Sequence, residues 1–192
     1  MEISPFERGL TGSTPAKPLR TRGAGHSRPE FTTNLLPAVA ARIGVLAAMI
    51  TNEYNTHSAE ETVQLGRELA HVLGGARMVV LTGDLGAGKT TLVKGIAEGF
   101  EAASQDDVTS PTFTLIHEYR ALSMNLFHVD LYRIERPREL VTLGLDELFA
   151  EQGNLVLLEW GEKFARFVKE CDTQIVIERT GVSERKIIVT TK

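Results

Sequence analysis

Eight consecutive residues, Gly83-Asp84-Leu85-Gly86-Ala87-Gly88-Lys89-Thr90, fit the pattern G-x-x-x-x-G-K-[ST], the spacing of a loop that cradles phosphate. Glycines at 83, 86 and 88 let the backbone turn tightly, so that successive N–H groups converge on phosphate oxygens with no Cβ in the way. A helix starting near Lys89 adds roughly half a positive charge at its N-terminus. The Lys89 ammonium can then reach the β- and γ-phosphates of ATP, and the Thr90 hydroxyl can ligate a bridging Mg2+. Nucleotide contacts are therefore expected from Asp84, Leu85, Gly86, Ala87, Gly88, Lys89, Thr90 and Thr91. Asp84 opposes phosphate by charge unless its side chain faces outward, where it would cap a turn or orient metal-bound water.

Magnesium in such a site takes a second anchor, usually a carboxylate ending an apolar strand beside the loop. Two acids qualify: Asp130 follows Leu126-Phe127-His128-Val129, and Glu159 follows Leu155-Val156-Leu157-Leu158. Both would stand at the carboxyl edge of the sheet, where open α/β folds bind ligands. Residue type and spacing do not choose between them. The polar stretch Asp106-Asp107-Val108-Thr109-Ser110-Pro111-Thr112 could order around the γ-phosphate and relax after hydrolysis, or be a plain connection. His128 reads better as a hydrogen-bonded core residue than as a ligand. Arg133 could neutralise developing charge on the phosphoryl group. Trp160 is a packing aromatic, a wall of the nucleotide pocket or part of a partner surface.

These residues need a scaffold, and its period is readable. Ser58-Ala59-Glu60-Glu61 has the form of a capping box, followed by Val63, Leu65, Leu69, Val72 and Leu73 at helical spacing. Gly74-Gly75 breaks that helix, and Met78-Val79-Val80-Leu81 then reads as a strand buried on both faces, the kind found in parallel sheets. Further apolar runs at 113–119, 125–129, 155–158, 174–177 and 186–189 alternate with helical stretches at 90–98, 138–149 and 162–170. The last two runs are joined by a short turn-like sequence, too short for a crossover helix, so they should pair antiparallel. The expected fold is α/β and P-loop NTPase-like: a mostly parallel central sheet flanked by helices, with an antiparallel C-terminal strand pair.

The chain has 192 residues, 42% hydrophobic and 24% charged, the balance of one globular domain with room for a tail. A net charge of −4 offers no broad attraction for a polyanion. The single cysteine, Cys171, excludes an internal disulfide and a thiolate zinc cluster, and fits a reducing compartment. The first fifty residues differ from the rest. Residues 1–33 mix Pro, Gly, Ser and Thr without apolar period, and the apolar run at 35–50 is interrupted by Pro37 and Arg42, too short to span a bilayer. Arg20, Arg22 and Arg28 ahead of that run faintly resemble a signal peptide, but export conflicts with a loop that needs ATP. Residues 1–50 are expected to be a disordered or mis-annotated extension, with translation starting at Met49, and residues 51–192 the ATPase domain. Six basic against three acidic residues give the first 48 residues a charge of +3, leaving −7 for the remainder.

The blocks GDLGAGKTT, VTSPTFTLIHEY, FHVDLYR, GLDELF and LLEWGEKF, in this order, resemble the TsaE family. The resemblance covers roughly residues 58–189 and leaves residues 1–48 outside. It implies a small P-loop ATPase that assists the TsaB and TsaD proteins in making threonylcarbamoyladenosine in tRNAs reading codons that begin with adenine. It also implies a cytoplasmic setting, no membrane, and tRNA contacts made only through the complex. Carried onto this sequence, the family pattern makes Lys89 the phosphate ligand, Thr90 and Glu159 the magnesium ligands, and Asp130 an acid that positions water or metal near the γ-phosphate. Ser110 and Thr112 fall in the family's switch-like segment. Thr62, on the first helix, becomes a candidate contact near the adenine. Lys89, Asp130 and Glu159 are thus the expected catalytic set. Two other readings use the same residues: a small-molecule kinase, against which stands the lack of an arginine-rich lid, and a nucleotide-gated binding module in which hydrolysis only resets the state.

Overall fold

The computed structural model describes residues 49–192, and the expectations for the extension before them lie outside the described residues. A seven-stranded sheet with order β1-β7-β6-β2-β5-β4-β3 forms the middle layer. Its centre is β2 (Met78–Thr82), fully buried over its first four residues as its unbroken apolar run requires. Parallel to it run β5 (Asn154–Glu159) and β6 (Thr173–Arg179), and β4 (Asn125–Asp130) runs parallel to β5.

The expected C-terminal pair is present: β6 and β7 (Arg185–Thr191) are antiparallel. Two further antiparallel strands extend the edges beyond that expectation. β1 (Ile50–Thr56) pairs with β7, and β3 (Ile116–Arg120) pairs with β4. β1 begins one residue before the boundary drawn at residue 51. The apolar run at 113–119 becomes strand only from Ile116, because Leu115 adopts a left-handed conformation (φ +68°) that turns the chain into the sheet.

Side chains alternate across the strands, so each face of the sheet gathers its own core. On one face, Val79, Leu81, Leu126, Leu155 and Leu157 pack against α1 (Ala59–Leu73) and α2 (Lys89–Gly99) through Leu65, Leu69, Leu92 and Ile96. On the other, Val80, Val129, Val156 and Leu158 meet Leu140, Leu145, Phe164 and Phe167. The cap of α1 forms as its sequence dictates: Ser58 accepts from the Glu61 N–H, and Glu61 reaches back to the His57 N–H. Val72 falls at the margin of the buried stripe and is 59% exposed.

The helix expected at 138–149 is broken. α3 (Pro137–Leu140) continues into a 3-10 turn, then Gly144 at φ +62° separates it from α4 (Leu145–Ala150). The stretch at 162–170 likewise splits at Phe164, whose extended backbone lies between a 3-10 turn (Gly161–Lys163) and α5 (Ala165–Glu170). None of the helices among the described residues is long and apolar enough to cross a membrane.

Helices α1 and α2 touch backbone to backbone at Gly66 and Gly95. A Cβ on Gly66 would sit 2.5 Å from the Leu92 carbonyl oxygen, and one on Gly95 would collide with the Val63 carbonyl oxygen. This contact sets how deeply α2, and with it Lys89 and Thr90, lies on the sheet. Gly95→Ala is expected to lose about 1–3 kcal/mol of unfolding free energy, read as a lower urea midpoint; a midpoint equal to that of the native chain would contradict the packing described.

Candidate functional site

The central strand β2 delivers the chain directly into the glycine loop, and the loop into α2. At Gly83 the backbone passes so close to β6 that a Cβ would strike the Ile177 carbonyl oxygen. Gly88 caps α2 in the left-handed region at φ +113° with no side-chain cap, and the first N–H groups of the helix have no intrahelical acceptor. The loop closes on itself through the Ala87 N–H, which donates to the Asp84 carbonyl at 3.0 Å.

Lys89 is only 4% exposed. Its Nζ donates to the carbonyls of Gly83 (2.7 Å) and Asp84 (3.0 Å) and lies 4.1 Å from the centroid of the Trp160 ring. Burial pulls the ammonium below the usual lysine range, while the carboxylates of Glu159, Glu162, Asp130 and Asp84 oppose that shift.

Two carboxylates face this lysine from neighbouring strands. The β4/β5 register sets Asp130 beside Glu159. Glu159 Oε1 accepts from the Thr90 hydroxyl at 2.8 Å and lies 2.8 Å from His128 Nε2. Asp130 Oδ2 accepts from Ser110 and Thr112, each at 2.8 Å, and Oδ1 accepts from the Tyr132 N–H at 2.9 Å. The segment at 106–112 is thereby tied to a strand-end acid, and His128 is the hydrogen-bonded core residue its surroundings predicted.

A cavity of about 370 Å³ gathers most of the anticipated residues: Leu85, Gly86, Gly88, Lys89, Thr90 and Thr91 from the loop, and Asp130 and Glu159 from the strands. Ser110, Thr112 and Trp160 also line it. Four anticipated residues stand elsewhere. Ala87 is buried behind the loop, and Asp84 is exposed outside the lining. Thr62 is 1% exposed, its hydroxyl bonded to the Ser58 carbonyl (2.9 Å) and to Thr56 Oγ1 (2.8 Å). Arg133 is exposed and rests over Phe113, 5.4 Å from the ring centroid.

Two lining residues were not anticipated. Tyr132 packs against Trp160 with ring centroids 5.1 Å apart. Arg185 opens β7 and comes within 3.3 Å of where a Gly88 Cβ would stand. The FHVDLYR block held Tyr132 in plain view, but nothing in the sequence separates Arg185 from the other basic residues of the last hairpin.

The site can hold an anion in the loop and a small cation between Thr90 and Glu159. No cluster of three or more His, Cys, Asp or Glu among the described residues could hold a metal by itself.

A sheet parallel in its middle and antiparallel at its edges, with a glycine loop leading from the central strand into a helix, defines an α/β protein of P-loop NTPase-like fold. The family model described as "Threonylcarbamoyl adenosine biosynthesis protein TsaE" matches residues 56–187, and the chain belongs to the TsaE family. It is 41% identical over 138 residues to the tRNA threonylcarbamoyladenosine biosynthesis protein TsaE of Bacillus subtilis, covering 72% of this chain and 84% of that one. The protein of the same name from Aquifex aeolicus is 35% identical, with coverage of 72% and 95%. The crystal structure of Bacillus subtilis YdiB superposes with a TM-score of 0.58 at 36% identity, covering 75% of this chain and 87% of that one.

Glu162 is half-buried and close enough to the lysine for the two charges to interact. Burial pushes its carboxyl up, against the pull of its own backbone amide and of the Lys89 ammonium. The folded chain therefore binds this proton more tightly than the unfolded one. The stability it contributes is present below the ordinary value of 4.5 and is lost as pH rises through the raised native value. Glu162→Gln is expected to flatten that descent in urea titrations run from acid to neutral pH; a slope parallel to that of the native chain would contradict it.

Proposed function

We propose that this protein binds and hydrolyses Mg-ATP in support of the TsaB and TsaD proteins that make threonylcarbamoyladenosine in tRNA. The observation that carries the reading is the 2.8 Å hydrogen bond between Thr90 and Glu159 at the mouth of the glycine loop. A hydroxyl at the start of the loop helix and a buried carboxylate one strand away are the oxygen donors that Mg2+ takes from such proteins, the rest of its shell coming from phosphates and water. Bound there, Mg2+ would neutralise charge shared between the β- and γ-phosphates.

The chain's own residues supply the rest. Loop N–H groups and the α2 N-terminus bind phosphate oxygens, and Lys89 exchanges its two carbonyl acceptors for them. Asp130 faces the same cavity and can accept a hydrogen bond from the water that attacks the γ-phosphorus as the bond to the β-bridging oxygen breaks, giving ADP and phosphate. Catalysis of this kind is positioning and charge stabilisation. Arg185 adds a second cation beside Gly88. A cytoplasmic setting, where ATP and tRNA meet, follows from the reading, with tRNA reached through the partner proteins.

One feature favours a second reading, a nucleotide-gated binding module. Ser110 and Thr112 bind the Asp130 carboxylate, so whatever engages that acid also acts on the exposed segment. If tRNA modification proceeds normally with a non-hydrolysable ATP analogue, the gating reading holds and hydrolysis is a reset.

Lys89→Ala is expected to lower phosphate release in the presence of TsaB and TsaD by at least about 100-fold. Unchanged release would refute the assignment.

A further inference from the structure

His128 is wholly buried yet belongs to the row of side chains that ends in the site. It precedes Asp130 by two residues on β4, opposite Leu157, so strand alternation puts His128, Asp130 and Glu159 on one face. An imidazole among Leu126 and Leu157 is costly to desolvate and earns no packing advantage over leucine. What it does make is one short hydrogen bond, 2.8 Å from Nε2 to Glu159 Oε1. Its Nδ1 has no hydrogen-bond partner. A ring nitrogen without an acceptor is best left bare, which puts the hydrogen on Nε2 and makes His128 the donor.

The Thr90 hydroxyl donates to the same oxygen, so Oε1 receives two hydrogen bonds. Thr90 can keep donating while its lone pairs turn to a cation. With Oε1 occupied from two sides, the carboxylate cannot rotate freely, and Oε2 is the atom left to meet a cation or its water. Thr90 alone would leave the carboxylate free to swing about that single contact.

We propose that His128 is a positioning residue, holding the Glu159 carboxylate in the orientation that receives a divalent cation beside Thr90. The inference rests on the Mg-ATP reading above and adds to it a residue that touches neither metal nor nucleotide. Groups that orient a metal ligand in this way typically change metal affinity 10–100-fold.

The test separates metal binding from nucleotide binding in the full-length chain. ATP affinity is measured by calorimetry in EDTA, and Mn2+ affinity of the ATP-loaded protein by electron paramagnetic resonance. For His128→Leu, ATP affinity in EDTA is expected to match the native chain, while Mn2+ affinity falls about 10–100-fold. His128→Gln, whose amide N–H reaches to the place of Nε2, is expected to recover most of that loss. Native Mn2+ affinity in the leucine variant would overturn the proposal, and so would a glutamine variant no better than leucine, since the loss would then be one of packing. Should His128→Leu fail to fold, His128→Asn, too short to reach Glu159, takes its place with the same expected loss and the same overturning result. A native chain that binds no ATP in either condition would instead bring down the Mg-ATP reading itself.

Discussion

Two hydrogen bonds, from Thr90 and from His128, meet on one oxygen of a carboxylate that is only 3% exposed. A charge that deep costs several kcal/mol to desolvate unless it is paired and bonded. Glu159 can stand at the end of β5 only because the loop helix, through Thr90, and the neighbouring strand, through His128, both turn donors toward it. The requirement runs outward from there. Thr90 reaches Glu159 only if α2 lies low on the sheet, and α2 lies low only because two glycines let it touch α1 backbone to backbone. β4 presents His128 and Asp130 to Glu159 only in its parallel register with β5.

The same geometry explains why the site is tense as well as ordered. The Lys89 ammonium is withdrawn from water and leans on two loop carbonyls and an indole face, with acids on several sides to hold its charge. The indole that faces it belongs to a residue at φ +63°, a conformation costing a side-chain-bearing residue roughly 1–2 kcal/mol. Leu115, where the chain enters β3 after the segment tied to Asp130, is likewise left-handed at φ +68°. Strain of this kind collects where the surroundings overdetermine a backbone to serve a site.

The parts legible in the sequence are those governed by local rules. An unbroken apolar run gave away β2, a capping box gave the start of α1, and glycine spacing fixed the loop. Asp130 and Glu159 were visible as strand-end acids because the runs before them are short and apolar. What could not be read depends on neighbours distant along the chain. β1 carries Asn52, Glu53 and Asn55, which no core demands, and it is a strand because β7 offers it a free edge. β3 needed the left-handed turn at Leu115, which the apolar pattern of 113–119 conceals. The breaks at Gly144 and Phe164 interrupt stretches whose apolar spacing alone reads as continuous helix. Arg185 reaches the cavity through a hairpin on the far side of β2.

The outermost strand β3 has only five residues, and the side chains along it include an ion pair between Glu118 and Arg120 at 2.7 Å, the arginine side chain 78% exposed. At the opposite margin, β1 sets Glu53 against Lys186 at 3.0 Å. A stray extended peptide laying itself alongside either margin would have to strip water from these charges, and at β3 it would gain few main-chain partners in return. Among the described residues the sheet thus resists lengthening sideways, which guards its open borders against templating fibrils.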